Sequence, residues 1–95
     1  MAARRAKPTD PARVHAAFMA AFSQAVRNAR ITRGHTQAAL AARVGIATNT
    51  IARIERGELC PSVFIAQRLA DALDVGVETL TRPVREAPPL VGRRR

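Results

Sequence analysis

Tryptophan and tyrosine are absent from these 95 residues, and phenylalanine occurs only three times. Binders of RNA or single-stranded nucleic acid use aromatic faces as stacking platforms, so this scarcity argues against both. Cysteine occurs once, as Cys60, which excludes an intrachain disulfide and suits a reducing cytosol. Cys60 reads as a small, half-buried filler before Pro61 rather than a redox centre. No apolar run approaches a membrane span or a signal-peptide core, so a membrane partner is not expected. The Arg- and Ala-rich start imitates a transit peptide, but the helix that follows it continues into the fold. Catalytic equipment is missing too. The two histidines have no paired carboxylates nearby, and there is neither a glycine-rich phosphate loop nor a metal-ligand spacing. No enzyme, metal site or cofactor is expected, and His15 reads as a solvated helix residue.

Acidic residues are also few: 7 against 16 basic ones, a net charge of +9. That balance favours a polyanionic partner, most often nucleic acid. Part of it lies near the ends, at Arg4, Arg5, Lys7, Arg93, Arg94 and Arg95. Hydrophobic residues make up 47% of the chain, which excludes broad disorder. A chain of this length holds one small domain with a thin core, to which dimerisation would add stability. Strand-like runs and internal repeats are lacking, so the expectation is all-α.

Residues 1–9 are basic and predict a disordered arm. Asp10-Pro11 is a helix start, with Asp as the cap and Pro at the first helical position. Val14, Phe18, Phe22, Val26 and Ala29 then recur at helical spacing to about Ile31, with Arg13, Gln24 and Arg27 off that stripe. Gly34 breaks the chain, and Thr36 caps a second helix over 37–44. A third starts at Ala47 or Thr48 and ends at Gly57. Ser62 caps a fourth over 63–73, whose buried stripe is Val63, Ala66, Leu69, Ala70 and Leu73. A short fifth helix, Val77 to Thr81, is closed by Leu80. The domain is thus expected over 10–81, with a flexible basic tail over 82–95 that Pro83, Pro88 and Pro89 keep from continuing the helix.

The stretch from Gln37 to Arg56 organises the rest. Leu40, Val44, Ile51 and Ile54 fall on facing sides of two short helices. Ala41 stands where a bulky side chain would hold them apart. Gly45 follows the last apolar residue of the first, where a chain leaving a helix often needs a positive φ, and Ile46 plugs the turn. This is the pattern of a helix-turn-helix, whose second helix lies in the DNA major groove.

These residues resemble the Cro/phage-repressor-like helix-turn-helix family, also called the XRE family. The likeness runs through Thr36-Gln37, Leu40-Ala41, Val44-Gly45, Ile51 and Ile54-Glu55-Arg56-Gly57. It continues through Pro61-Ser62, Leu69-Ala70, Ala72-Leu73 and Val75, and covers roughly residues 20 to 81. It implies a five-helix, lambda-repressor-like domain. The family's first helix usually begins nearer Phe18, so residues 11–17 are an extension of it.

The resemblance also places the start of a recognition helix, 48–56, against base edges. Its outward positions are Thr48, Asn49, Thr50 and Arg53. Asn49 suits a bidentate pair with adenine and Arg53 one with guanine, while Thr48 and Thr50 reach a base, a thymine methyl or a phosphate. The plainer alternative is that Arg53 touches only phosphate and Thr48 only caps the helix. Gln37 matches a family glutamine that grips phosphate and buttresses the recognition helix, and its backbone N–H lies at a helix N-terminus suited to anions. Arg33, Arg43 and Arg56 flank the motif as phosphate contacts, or as ordinary solvated arginines. Arg30 and Glu55 match a structural ion pair of the family.

Phe64 lies off the buried stripe of the fourth helix, beside Gln67, Arg68 and Asp71. It marks either a subunit contact or packing against the tail or the first-helix extension. Phe64, Arg68, Val77 and Leu80 are the candidate dimer-interface residues. The expectation is a cytoplasmic bacterial or phage regulator, associated with the nucleoid, binding a double-stranded, (pseudo)palindromic operator as a homodimer. With no room for a ligand-sensing domain, its control resembles that of small repressors and controller proteins, which often regulate their own promoters. An antitoxin of this family, with a toxin or anti-regulator as protein partner, is one alternative. A protein-interaction module on the same fold is another, which the lack of any acid from Thr48 to Arg53 argues against.

Overall fold

The computed structural model describes residues 10–82, and these form five helices with no strand among them. Helix α1 is Pro11–Thr32, α2 Gln37–Val44, α3 Thr48–Glu55, α4 Val63–Leu73 and α5 Val77–Thr81. The all-α, five-helix expectation holds. The basic arm over 1–9 and the tail from 83 onward lie outside the described residues. Arg82 caps α5 in a helical conformation.

Local chemistry sets most helix boundaries. Asp10 Oδ1 accepts the Ala12 N–H at 3.1 Å, with Pro11 opening the helix. Thr36 Oγ1 accepts the Ala39 N–H at 3.0 Å, and Ser62 Oγ accepts the Ile65 N–H at 3.1 Å. Each satisfies an N–H that the helix itself leaves unpaired. Helix α3 differs: its cap is Ala47, with no side-chain bond, so Thr48 is the first helical residue and not the cap. Three glycines stop helices in the left-handed region, Gly34 after α1 at φ +73°, Gly45 after α2 at φ +89° and Gly57 after α3 at φ +77°.

The core is one cluster. Leu40, Ala41 and Val44 of α2 meet Ile51 and Ile54 of α3; Phe22 and Val26 of α1, Leu69, Ala70 and Leu73 of α4, and Leu80 of α5 complete it. Ile46 packs against it from the turn, as its place between the helices requires. The buried Ser23 hydroxyl donates to the Met19 carbonyl at 2.7 Å, so a polar group enters α1's inner face without an unmet bond.

Four expectations need correction. Val14 is 40% exposed, and residues 11–16 are all exposed. The buried stripe of α1 begins only at Phe18, whose ring stacks on Phe22 at 5.7 Å. Val63 is 86% exposed and leaves the α4 stripe to Ile65, Ala66, Leu69, Ala70 and Leu73. A helical side chain leans toward the N-terminus of its helix, so at the first position it leans off the end rather than onto the core. Cys60 is exposed, because its neighbour Leu59 takes the inward place in that loop. Leu80 is fully buried inside the domain and has no surface left for a subunit contact.

A Cβ on Gly45 would meet only Arg68 Nη2, at 3.6 Å, which is ordinary contact. The cost of Gly45→Ala is therefore conformational: about 1–2 kcal/mol for an L-residue in the left-handed region. Urea denaturation should show that loss with an unchanged slope against denaturant. A variant as stable as the parent would mean that the turn relaxes to negative φ.

Candidate nucleic-acid interface

Ile51 and Ile54 are fully buried, which fixes the roll of α3 about its axis. The opposite side is then presented outward: Thr48, Asn49 and Arg53 are exposed and Thr50 is partly covered. Asn49 and Arg53 are four residues apart and share one side of the helix. All four candidate base contacts therefore lie on one short helix whose back is anchored in the core.

Glu55 is the hub behind this face. Its carboxylate accepts Arg30 Nε at 2.7 Å and Arg30 Nη2 at 3.0 Å, a two-point pair across 25 residues. Gln37 Nε2 donates to the same carboxylate at 3.0 Å. Arg30 Nη1 donates to the His35 carbonyl at 2.9 Å. The side chains of Arg30 and Glu55 are only 13% and 4% exposed. One carboxylate thus joins the end of α1, the loop before α2, the start of α2 and the end of α3. The hydrogen bonds that Arg30 donates to Glu55, helped by the carboxylate's charge, raise the Arg30 guanidinium above its ordinary pKa against the opposing effect of burial. Gln37, expected at a phosphate, is joined to Glu55, while its remaining amide proton is not committed to that bond.

The other basic candidates are not equivalent. Arg56 donates to Glu58 at 2.8 and 3.0 Å. That hydrogen bonding holds the Glu58 carboxyl below the usual range, with smaller effects from the charges of Arg56 and Arg53. Glu58 therefore competes with any phosphate for Arg56. Arg33 is turned toward the α4–α5 junction, where it donates to the Asp74 carbonyl at 3.1 Å and pairs with its carboxylate at 3.3 Å. Arg43 is exposed beside a cleft of about 340 Å³ that it lines with Arg68, Asp71 and Ala72.

Of the subunit-contact candidates, Phe64 is 67% exposed, with the Arg68 guanidinium 5.9 Å from its ring centre. Arg68 also donates Nε to the Val44 carbonyl at 2.7 Å, closing the C-terminal end of α2. Val77 packs against the core and is partly covered. Packing of Phe64 against the tail lies outside the described residues. Sequence reasoning missed the tie from Arg68 to Val44 and the partner of Arg33. It also missed His35, whose Nδ1 is buried without a hydrogen-bond partner. Residues separated by 24 and 41 positions leave no spacing signal. Among the described residues no group of histidine, cysteine, aspartate or glutamate could hold a metal ion, and no helix is long and apolar enough to cross a membrane.

Replacing Glu55 by Ala strands the Arg30 charge at a largely buried site, and the expected loss of stability is on the order of 3 kcal/mol. Arg43→Ala should stay within about 0.5 kcal/mol of the parent, as an exposed substitution away from such features. Chemical denaturation of both variants compares them directly, and an unchanged midpoint for Glu55→Ala would remove the hub from the structural account.

The chain is similar to known proteins in family and fold. The HTH_3 helix-turn-helix family matches residues 26–80. An uncharacterized HTH-type transcriptional regulator of Bacillus subtilis (strain 168), YazB, is 34% identical over 62 residues, spanning 65% of this chain and 90% of that protein. An uncharacterized HTH-type transcriptional regulator of Methanothermobacter thermautotrophicus is 44% identical over 48 residues, spanning 50% of this chain and 70% of that one. The restriction-modification controller protein C.AhdI of Aeromonas hydrophila superposes with a TM-score of 0.64 at 31% identity, over 65% of this chain and 94% of its own. A hypothetical transcription factor from Neisseria, NHTF, shares the fold at 22% identity, with a TM-score of 0.69 over 90% of this chain and 91% of its own. The chain belongs to the HTH_3, or XRE, helix-turn-helix family of DNA-binding transcriptional regulators, a class without enzymatic activity.

Proposed function

We propose that the protein is a controller-type regulator that binds a (pseudo)palindromic operator in double-stranded DNA as a homodimer and acts on its own promoter. The observation that carries the reading is the outward side of α3. Thr48, Asn49 and Arg53 stand exposed there with no acid among residues 48–53, and Ile51 and Ile54 lock the helix from behind. Arg53 and Asn49 are the base readers, with Thr48 and Thr50 beside them. Gln37 and Arg43 hold phosphates, joined by Arg56 once it leaves Glu58 and by Arg33 once it leaves Asp74. The likeness to a restriction-modification controller protein supports the controller reading.

Dimerisation is supported by the exposed pair Val63 and Phe64 at the start of α4, flanked by Arg68. Two large apolar side chains in adjacent exposed positions suit a subunit contact more than open water. A two-fold dimer would set its recognition helices about 34 Å apart, one turn of DNA. The same pair would serve a protein partner, such as a toxin or an anti-regulator, if the fold were an interaction module.

Binding to single-base operator variants at two salt concentrations separates readout from grip. Arg53→Ala should lose about 1–3 kcal/mol on the cognate site and relax preference at one base pair. Gln37→Ala should weaken all variants by similar factors. Equal weakening of every variant by Arg53→Ala would make Arg53 a phosphate clamp, and no operator preference in the parent would favour the interaction module. Phe64→Asp should turn a dimer at micromolar concentration into a monomer by light scattering while leaving the melting temperature of the folded domain nearly unchanged. A parent that is monomeric at high concentration would end the dimer proposal.

A further inference from the structure

We propose that Arg27, in the C-terminal third of α1, is a phosphate clamp that extends the DNA footprint beyond the two-helix motif, a step that rests on the DNA-binding reading above. A cleft of about 270 Å³ opens between α1, the start of α2 and the end of α3. Its lining is Arg27, Arg30, Gln37, Ala52, Glu55 and Arg56. Ala52, with a single methyl group, keeps the α3 side of the cleft shallow.

The chemistry of the lining selects an oxyanion. The one carboxylate, Glu55, already accepts three hydrogen bonds, two from Arg30 and one from Gln37. It offers little to an incoming donor. Unspent donors remain around it. A guanidinium has five N–H groups, and the structure commits three of Arg30's, to Glu55 twice and to the His35 carbonyl. One amide proton of Gln37 is left over in the same way. Arg56 is engaged by Glu58, outside the lining. Arg27 is exposed, and no hydrogen bond or ion pair to it is found among the described residues. It lies three residues before Arg30 and so projects from the same side of α1. The cleft therefore has an excess of donors and one uncompensated positive charge, which matches a tetrahedral phosphate.

Two sources could supply that group, the backbone of duplex DNA or free inorganic phosphate. The position favours DNA. Gln37 and Glu55 connect the cleft directly to α3, so a duplex engaged by Asn49 and Arg53 would pass its backbone along this side. The occupant is a phosphodiester flanking the bases that α3 reads.

The test compares the full chain with Arg27→Gln and Arg13→Gln on duplex DNA at several salt concentrations. Arg13 lies 14 positions earlier on the same helix, about 21 Å along its axis, and controls for the loss of one positive charge. Arg27→Gln should weaken specific and random duplexes by the same factor. Its log affinity should fall less steeply with log salt, by about one unit, so that raising salt from about 50 to about 200 mM weakens it roughly threefold less than the parent. Base preference should be unchanged, and Arg13→Gln should keep the parental slope. An unchanged slope for Arg27→Gln, or an equal change for Arg13→Gln, overturns the proposal while leaving the regulator reading intact.

Titration of inorganic phosphate alone, followed by the NMR signals of the Arg27 Nε–H and the Gln37 amide, separates the sources. Shifts at both groups with no change in salt slope would assign the cleft to a free anion and overturn the DNA assignment. A slope change, with or without those shifts, supports it. A parent that distinguishes no operator would fail the regulator reading, while the slope on random duplex would still decide the role of Arg27.

Discussion

The carboxylate of Glu55 is the constraint on which the recognition surface depends. A largely buried negative charge is tolerable only when paired and hydrogen-bonded, and here three donors from two other segments do both. Because the donors come from α1 and α2, the carboxylate fixes the end of α3 relative to each. Arg30 in turn reaches the His35 carbonyl, so the loop between α1 and α2 is held by the same charge. Apolar packing at Ile51 and Ile54 sets the roll of α3 about its axis. The polar cluster sets where its far end points. Hydrophobic contact alone is non-directional, whereas a two-point arginine–carboxylate pair has a preferred plane and distance.

Arginine in this small chain does work of several kinds. Arg30 and Arg68 are structural: one closes the carboxylate cluster, and the other ties α4 to the last carbonyl of α2. Arg33 and Arg56 are held by acids at the surface, at Asp74 and Glu58. Exposed pairs of that kind are weak, and a phosphate can displace them at little cost. The net charge of +9 therefore overstates the number of cations standing ready for a polyanion. What matters for DNA is which guanidinium groups remain unspent after the fold has used its share.

The exposed ends of two helices add a second theme. The first turns of α1 stand clear of the core, and the start of α4 carries Val63 and Phe64 into solvent. Neither residues 11–16 nor Val63 and Phe64 add a buried side chain to the core. Both are capped locally, at Asp10 and Ser62, and both continue helices whose later turns are well buried, so packing of those turns supports their helical form. Such overhangs are inexpensive for the fold and leave apolar side chains available to a second chain.

Much of the architecture was legible in the residues themselves. Helix caps at Asp10, Thr36 and Ser62 were visible because a cap depends on one side chain and the three residues after it. Leu40, Val44, Ile51 and Ile54 were visible because helical periodicity assigns a face, and the tight turn at Gly45 sets the two faces together. The pairing of Arg30 with Glu55 was legible only through the family resemblance, since a separation of 25 residues has no local signature. Tertiary structure alone decided the rest. Periodicity puts Val14 and Val63 on inner faces but does not say how much will cover them: Val14 is left 40% and Val63 86% exposed. Leu59 and Cys60 are neighbours in one loop, and which of them turns inward depends on where the core offers space. Leu80 could face a partner or its own domain, and the contact of α5 with α1 and α4 buried it. The sequence by itself determined helix boundaries and faces, because those follow from interactions within one or two turns. Burial, and the commitment of each arginine, depend on segments that meet only after folding.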